Sequence, residues 1–202
     1  MPKPTFSKLP PEKQAAFIEA ALREFAQKNY ERASINAIVQ HLGIAKGSVY
    51  QYFENKKDLY LYLVEYARRQ KQAFVQQHSK SAHSDFFTRF QEMYQAGMAF
   101  NAAHPVVGRF LHNVSQEKHA SELGDLHALM LRQSTNYFQK LVEQEQKNGK
   151  IRPDLDSLVV AFLMVQISTS LGDFLTLQEV LPNHSDYVAQ MVQIMRTGLE
   201  NT

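Results

Sequence analysis

The chain has no cysteine among its 202 residues. That excludes a disulfide framework and any thiolate metal site, and it fits a reducing compartment. Long apolar runs are missing too. The longest, LVVAFLMV from Leu158 to Val165, falls far short of the ~20 residues a bilayer span needs. The opening MPKPTFSKLPPEKQAAFIEA has no apolar stretch of signal-peptide character. A soluble, cytoplasmic protein is therefore expected. Strand signals are nearly absent, with no alternating β-branched run and no Asn-Gly or Asp-Gly turn between apolar strands.

Catalytic patterns are equally scarce. Of the eight histidines, His78 and His83 lie five apart and His112 and His119 seven apart, unlike zinc-ligand pairs on a helix. There is no H-E-x-x-H, no G-x-S-x-G and no phosphate-cradling glycine loop. Ser115 and Lys118 fit S-x-x-K, but a four-residue pattern recurs by chance and its companion motifs are missing. No enzyme, catalytic residue, metal or cofactor is expected.

What is present is a helical pattern with uneven charge. Apolar residues make up 44% of the chain, enough to bury a core. The net charge is +2, yet residues 1–71 hold twelve Lys/Arg against seven Asp/Glu, while the remainder hold ten against thirteen. A basic front and an acidic back point to two tasks, with a polyanion meeting the front. Pro10 and Pro11 precede Phe17, Ile18, Ala21, Leu22 and Phe25 at helical spacing, and Asn29 ends that pattern. Ser34 reads as the N-cap of a short helix carrying Ile35, Ile38, Val39 and Leu42, which Gly43 breaks. A third helix spans about 45–52 and a fourth about 55–77. HSKSAHS (78–84) reads as a loop, and further helices are expected at 85–102, from Pro105, at 121–147, 155–178 and 184–200. The expectation is all-α, about nine helices, in a small N-terminal unit and a larger C-terminal bundle.

Residues 34–53 carry the chemistry. Two short helices joined by a turn with a glycine match the helix-turn-helix pattern, whose second helix enters the major groove. Ile38, Val39, Leu42, Val49 and Phe53 can pack on Phe17, Leu22 and Phe25, leaving Lys46, Gly47, Ser48 and Tyr50 outside, with Tyr52 at the helix end. Lys56 and Lys57 follow at the start of the next helix. Two cations there oppose the helix dipole unless a phosphate binds. Taken singly, Tyr50, Tyr52 and Phe53 favour an ordinary small core; the combination favours nucleic acid.

The stretch ASINAIVQHLGIAKGSVYQYFENKKDLYLYL resembles the DNA-binding signature of the tetracycline-repressor (TetR-like) family of bacterial regulators, over roughly residues 10–65. The resemblance implies a three-helix reader head (1–60) and an all-helical ligand-binding and dimerisation domain (61–202). It also implies a homodimeric transcription factor, usually a repressor, that binds double-stranded DNA at a palindromic operator. By position, Lys46, Gly47 and Ser48 would face base edges, Tyr50, Tyr52 and Lys56 would hold phosphates, and Ser34 and Asn36 complete the DNA-binding set. Two residues depart from the family pattern. Ala45 stands where Ser or Thr is usual, so the recognition helix lacks a side-chain N-cap, and Ala37 stands where an acidic residue is common.

Toward the C-terminus, Phe90, Met93, Tyr94 and Gly97 form one stripe and Met130, Gln133, Tyr137 and Leu141 another. With Phe110 they would line a pocket for a small, largely apolar effector, with Asn101, His104, His112 and Gln133 as polar contacts. Each is also an ordinary core or surface residue. LVVAFLMVQISTSLGDF (158–174) is apolar nearly all round at first, and the last helix repeats the theme. Phe162, Val165 and Thr169, with Val188, Met191, Val192 and Met195, are expected to form a four-helix dimer interface. Ser168, Ser170 and Gly172 are small enough for close approach. The rival to DNA binding is a membrane-surface helix, because Arg68-Arg69-Gln70-Lys71 lies beside Phe74 and Val75. On the preferred reading no membrane is bound.

Overall fold

Proline and glycine punctuate the chain where the helices begin and end. In the computed structural model, Pro11 opens α2 (Pro11–Gln27) and Pro105 opens α7 (Pro105–Gln116), positions where a missing N–H costs nothing. Gly43 closes α3 (Ile35–Leu42) at φ 65°, a left-handed conformation that a side chain would strain. The structure describes residues 1–79, 85–117, 121–124, 126–177 and 184–200, and the side chains of 121, 172–177 and 184–185 are left aside. Residues 80–84 of the expected loop, with His83, Lys118 and His119, lie outside the described residues, as do the surroundings of Gly172.

Ten α-helices are found among the described residues. Besides α2, α3 and α7 they are α1 (Pro4–Ser7), α4 (Lys46–Tyr52), α5 (Lys56–His78), α6 (Phe86–Ala103), α8 (Leu126–Lys147), α9 (Ser157–Leu177) and α10 (His184–Leu199). The tenth beyond the expected nine is α1, whose four residues are too few to show a period. Residues 121–123, expected to open α8, form a separate 3₁₀ turn. No strand occurs among the described residues, only an isolated bridge between Ile151 and Glu200.

The chain divides into two compact units. The first comprises Met1–Ala73 and Phe100–His127, the second Phe74–Ala99 and Ala128–Thr202. The first unit is built on aromatic rings. Phe6, Phe17, Tyr52, Phe53 and Tyr62 form one cluster, with Phe17 and Phe53 stacked at 5.8 Å. Phe25, Tyr30, Tyr60 and Phe110 form another. Ile38, Val39, Val49 and Phe53 are buried as expected, with Leu42 half-buried. Within this unit α7 packs on α2, and Asn113 Nδ2 donates to the carbonyls of Phe25 (3.1 Å) and Ala26 (3.0 Å) at the end of α2. The second unit buries Phe86, Phe90, Val142, Ile151, Met164 and Val188 together. Arg196 ties α10 to the start of α6 through Asp85 (2.6 Å) and lies over the Phe87 ring.

Candidate nucleic-acid interface

The helix pair α3–α4 owes its angle to what it buries. Val49 is 1% and Phe53 0% exposed, so α4 has one committed face. Its other face leaves Lys46, Gly47 and Tyr50 exposed and Ser48 half-buried. Asn36 is exposed in the first turn of α3. These outward groups are donors, or lack bulk altogether at Gly47, which suits approach to base edges and sugar–phosphate walls. Tyr52 is half-buried, its ring against Phe6 and Phe17.

Two expectations need correction. Ser34 occupies the N-cap of α3, but its side chain makes no capping bond; instead its backbone N–H donates to Glu24 Oε1 at 2.8 Å. The Ser34 hydroxyl is thus not committed to holding α3. Lys56 does not stand open at the start of α5. Its ammonium lies 4.7 Å from the Tyr30 ring centre and donates to the Glu31 carbonyl at 3.2 Å. Burial holds it below the ordinary lysine range, opposed by Glu122 and other nearby carboxylates. Lys57 is the exposed cation of the pair. The backbone at this helix start is also partly occupied, since Asn55 Oδ1 accepts the Asp58 N–H at 2.9 Å.

The opposite end of α4 is closed by residues that no sequence pattern singled out. Four carbonyls at a helix C-terminus lack intrahelical partners. Here the Val49 carbonyl accepts the Phe53 N–H at 2.8 Å, and that of Tyr52 accepts the Lys3 N–H at 2.7 Å. The Tyr50 carbonyl accepts Lys3 Nζ at 2.9 Å, and that of Gln51 accepts the Thr5 hydroxyl. Lys3 also pairs with Glu54 at 3.3 Å.

A groove of about 590 Å³ in the same unit is rimmed by Lys28, Arg32 and Arg109 above Asn113 and Glu117. It lies at the C-terminal end of α2, whose partial negative charge attracts cations, so these need no ligand to account for them.

The other assigned residues are scattered. Among the effector residues, Phe90 is 4% exposed in the core of the second unit, and Phe110 is 0% exposed in the first, against Phe25 and Tyr60. Both rings are enclosed by the core of their own unit. Met93, Tyr94, Gly97 and Met130 are half-buried, whereas Gln133 and Tyr137 are exposed. Asn101, in the first unit with exposed His104 and His112, accepts Lys71 Nζ at 3.4 Å and backs onto Gly108. Of the expected dimer residues, Val165, Val188, Val192 and Met195 are buried within the chain's own core. Only Phe162 and Thr169 are exposed, with Met191 half-buried. Among the described side chains of α9, Leu158, Val159, Phe162 and Leu163 are the large apolar ones left exposed. Among the described residues no helix is long and apolar enough to cross a membrane, and no cluster of three or more His, Asp or Glu is placed to hold a metal.

Comparison with known proteins places these features. The family model described as "Bacterial regulatory proteins, tetR family" matches residues 17–63, from α2 into α5. A TetR family transcriptional regulator from Chloroflexus aurantiacus J-10-FL is 31% identical, with a TM-score of 0.79 and full coverage of both chains. The fatty acid degradation regulator FadR of Bacillus halodurans shares the fold at 20% identity, with a TM-score of 0.70 over 93% of this chain and 95% of that one. An uncharacterized HTH-type transcriptional regulator of Bacillus subtilis (strain 168), YuxN, is 42% identical over 55 residues. That match spans 27% of this chain and only 19% of the relative. A helix-turn-helix on a closed aromatic core, the family model across it and 31% identity along the whole chain agree: the protein belongs to the TetR family of bacterial transcriptional regulators.

Proposed function

We propose that the protein is a homodimeric repressor whose two α4 helices read a roughly palindromic operator, and that a small, largely apolar ligand releases it. The observation that carries the DNA reading is the division of α4 into a closed face, Val49 and Phe53, and an open one, Lys46, Gly47, Ser48 and Tyr50. Lys46, Gly47 and Ser48 meet base edges; Ser34, Asn36, Tyr50, Tyr52 and Lys56 meet sugar and phosphate, with Lys57 as a further, more open cation. Residues 1–60 form the reader, and residues 61–202 bind the ligand and the second copy.

The dimer is assigned to α9 and α10. Leu158, Val159, Phe162 and Leu163 lie along one side of α9 at 47–56% exposure, and Tyr187 and Ile194 on α10 at 40% and 72%. Apolar faces of this kind mark association, and two helices per chain close a four-helix bundle about a two-fold axis. The effector is assigned to the half-buried side chains of α6 and α8, chiefly Met93, Tyr94 and Met130. To reverse 99:1 occupancy it must prefer the released conformer by about 10⁴-fold, ~5.5 kcal/mol.

The test is selection of duplexes from a random pool by the purified protein at physiological salt. An inverted repeat is expected, its half-site spacing giving the distance between recognition helices. Enrichment of nothing by protein refolded free of ligand would refute the reading. Binding to anionic vesicles without duplex preference would favour the rival membrane-surface role.

A further inference from the structure

The stretch from Lys3 to Phe6 does more than cover the core. Three carbonyls at the end of α4, those of Tyr50, Gln51 and Tyr52, accept hydrogen bonds from Lys3 Nζ, the Thr5 hydroxyl and the Lys3 N–H. The donors lie 46 to 49 positions away in sequence. Phe6, 1% exposed, anchors the strap by packing against Phe17, Tyr52, Phe53 and Tyr62 at 5.1–5.8 Å between ring centres. A seven-residue helix has too few internal bonds to hold its own axis. Beyond the burial of Val49 and Phe53, its direction depends on what grips its ends. The N-terminal end lacks a side-chain cap, because Ala45 has none to offer. The grip is therefore at the C-terminal end, directly beneath Tyr50.

We propose that Lys3 and Thr5 are positioning residues for operator recognition: they fix the axis of α4 and so the angle at which Lys46, Ser48 and Tyr50 are presented. This rests on α4 being the reader. Neither residue needs to touch a base. Their removal therefore alters discrimination between operator and other duplexes, beyond any uniform loss of affinity.

The test uses the full chain and compares binding to the selected operator with binding to a shuffled duplex of equal length. Thr5→Val keeps the shape and removes the donor; Thr5→Ser keeps the donor. Thr5→Val is expected to lower operator affinity about three- to tenfold, the worth of one hydrogen bond. Shuffled-duplex affinity and the salt slope stay unchanged, because no charge is lost. Thr5→Ser is expected to restore discrimination, which a merely structural role would not require. Lys3→Met, which keeps the apolar stem, is expected to act in the same direction. Lys46→Ala serves as the reference. If Lys46→Ala shifts base preference and Thr5→Val binds like wild type, the clamp is overturned and the reader stands. If Lys46→Ala shifts nothing, α4 is not the reader and both readings fall.

Discussion

The pair α3–α4 and the helix α9 divide their apolar residues differently. In the first, Ile35, Ile38, Val39, Val49 and Phe53 are buried, and the outward surface is cationic, amide, hydroxyl or bare backbone. In α9, Val160, Ala161, Met164 and Val165 are buried while Leu158, Val159, Phe162 and Leu163 stay about half exposed. One surface suits a hydrated polyanion. The other gains by leaving water, at roughly 25 cal/mol per Å² of apolar area. The chain thus presents two surfaces of opposite chemistry, each on a helix whose reverse side is already packed.

The contrast breaks first at its closed side. Phe53→Ala removes a ring with no exposure from between Phe6, Phe17 and Tyr62, and should cost about 3–5 kcal/mol. Phe162→Ala, at an exposed site, should stay within ~0.5 kcal/mol for the isolated protomer. Denaturant titrations of dilute protein followed by circular dichroism compare them. Equal costs would mean that Phe162 is packed in the free chain.

Next comes the apolar surface itself. Phe162→Glu places a carboxylate on that face in both copies and should weaken self-association at least a hundredfold, ~3 kcal/mol, with helicity retained. Light scattering should then move from twice to once the 23.2 kDa chain mass. An unchanged dimer would locate the interface elsewhere.

The polar surface gives smaller effects that can be told apart. Lys46→Ala should change the preferred base at one position, with about 1–3 kcal/mol of discrimination at stake. Lys57→Ala should weaken all duplexes alike and lower the salt slope by about 0.9 for each protomer, ~1.8 for the bound dimer. Lys56→Ala should lower it less, because its ammonium already has the Tyr30 ring and the Glu31 carbonyl as partners. Salt titrations that leave both slopes at the wild-type value would remove the phosphate role from α5.

The smallest effect belongs to the second unit. Burial alone would raise the Asp85 carboxyl, but Thr88, Arg196 and the Phe87 amide together hold it below the usual carboxylate range. The pair is partly exposed, so solvent screens it. A depressed carboxyl stabilises the fold above its unfolded value near pH 4, and that contribution is lost as pH falls through the folded value. Asp85→Asn should flatten this acid limb of stability, seen in thermal midpoints between roughly pH 5 and 2. An unchanged acid limb would assign the loss to other carboxylates.

How much of this was legible in the sequence follows from the same contrast. The reader could be seen because its demands are local: a glycine at φ 65°, a short helix on either side and cations after an aromatic run. Helix positions in the remainder were legible for the same reason, through Pro105 and the Asn148-Gly149 break. Which apolar residues of α9 stay outside was not. Along α9 nearly every position is apolar, so periodicity cannot distinguish Val165, which is buried, from Phe162, which is not. The burial of Phe110 was no more legible, since a ring that fills a core and one that lines a cavity are the same letter. Lys56 and the Lys3–Phe6 strap depend on contacts 25 and more positions apart, for which no spacing rule exists.

The long reach of that strap has a kinetic side. Bonds between residues 3–5 and 50–52 close a loop of nearly fifty residues, and such closure costs chain entropy before any contact offsets it. The earlier segment therefore has to wait for one made some forty-five residues later before either is secured. No partly synthesised chain ending before Gln51 can carry a finished α4. The reading surface should arise in a single cooperative step with its aromatic core, so a nascent or nicked fragment has no half-formed head with which to occupy DNA.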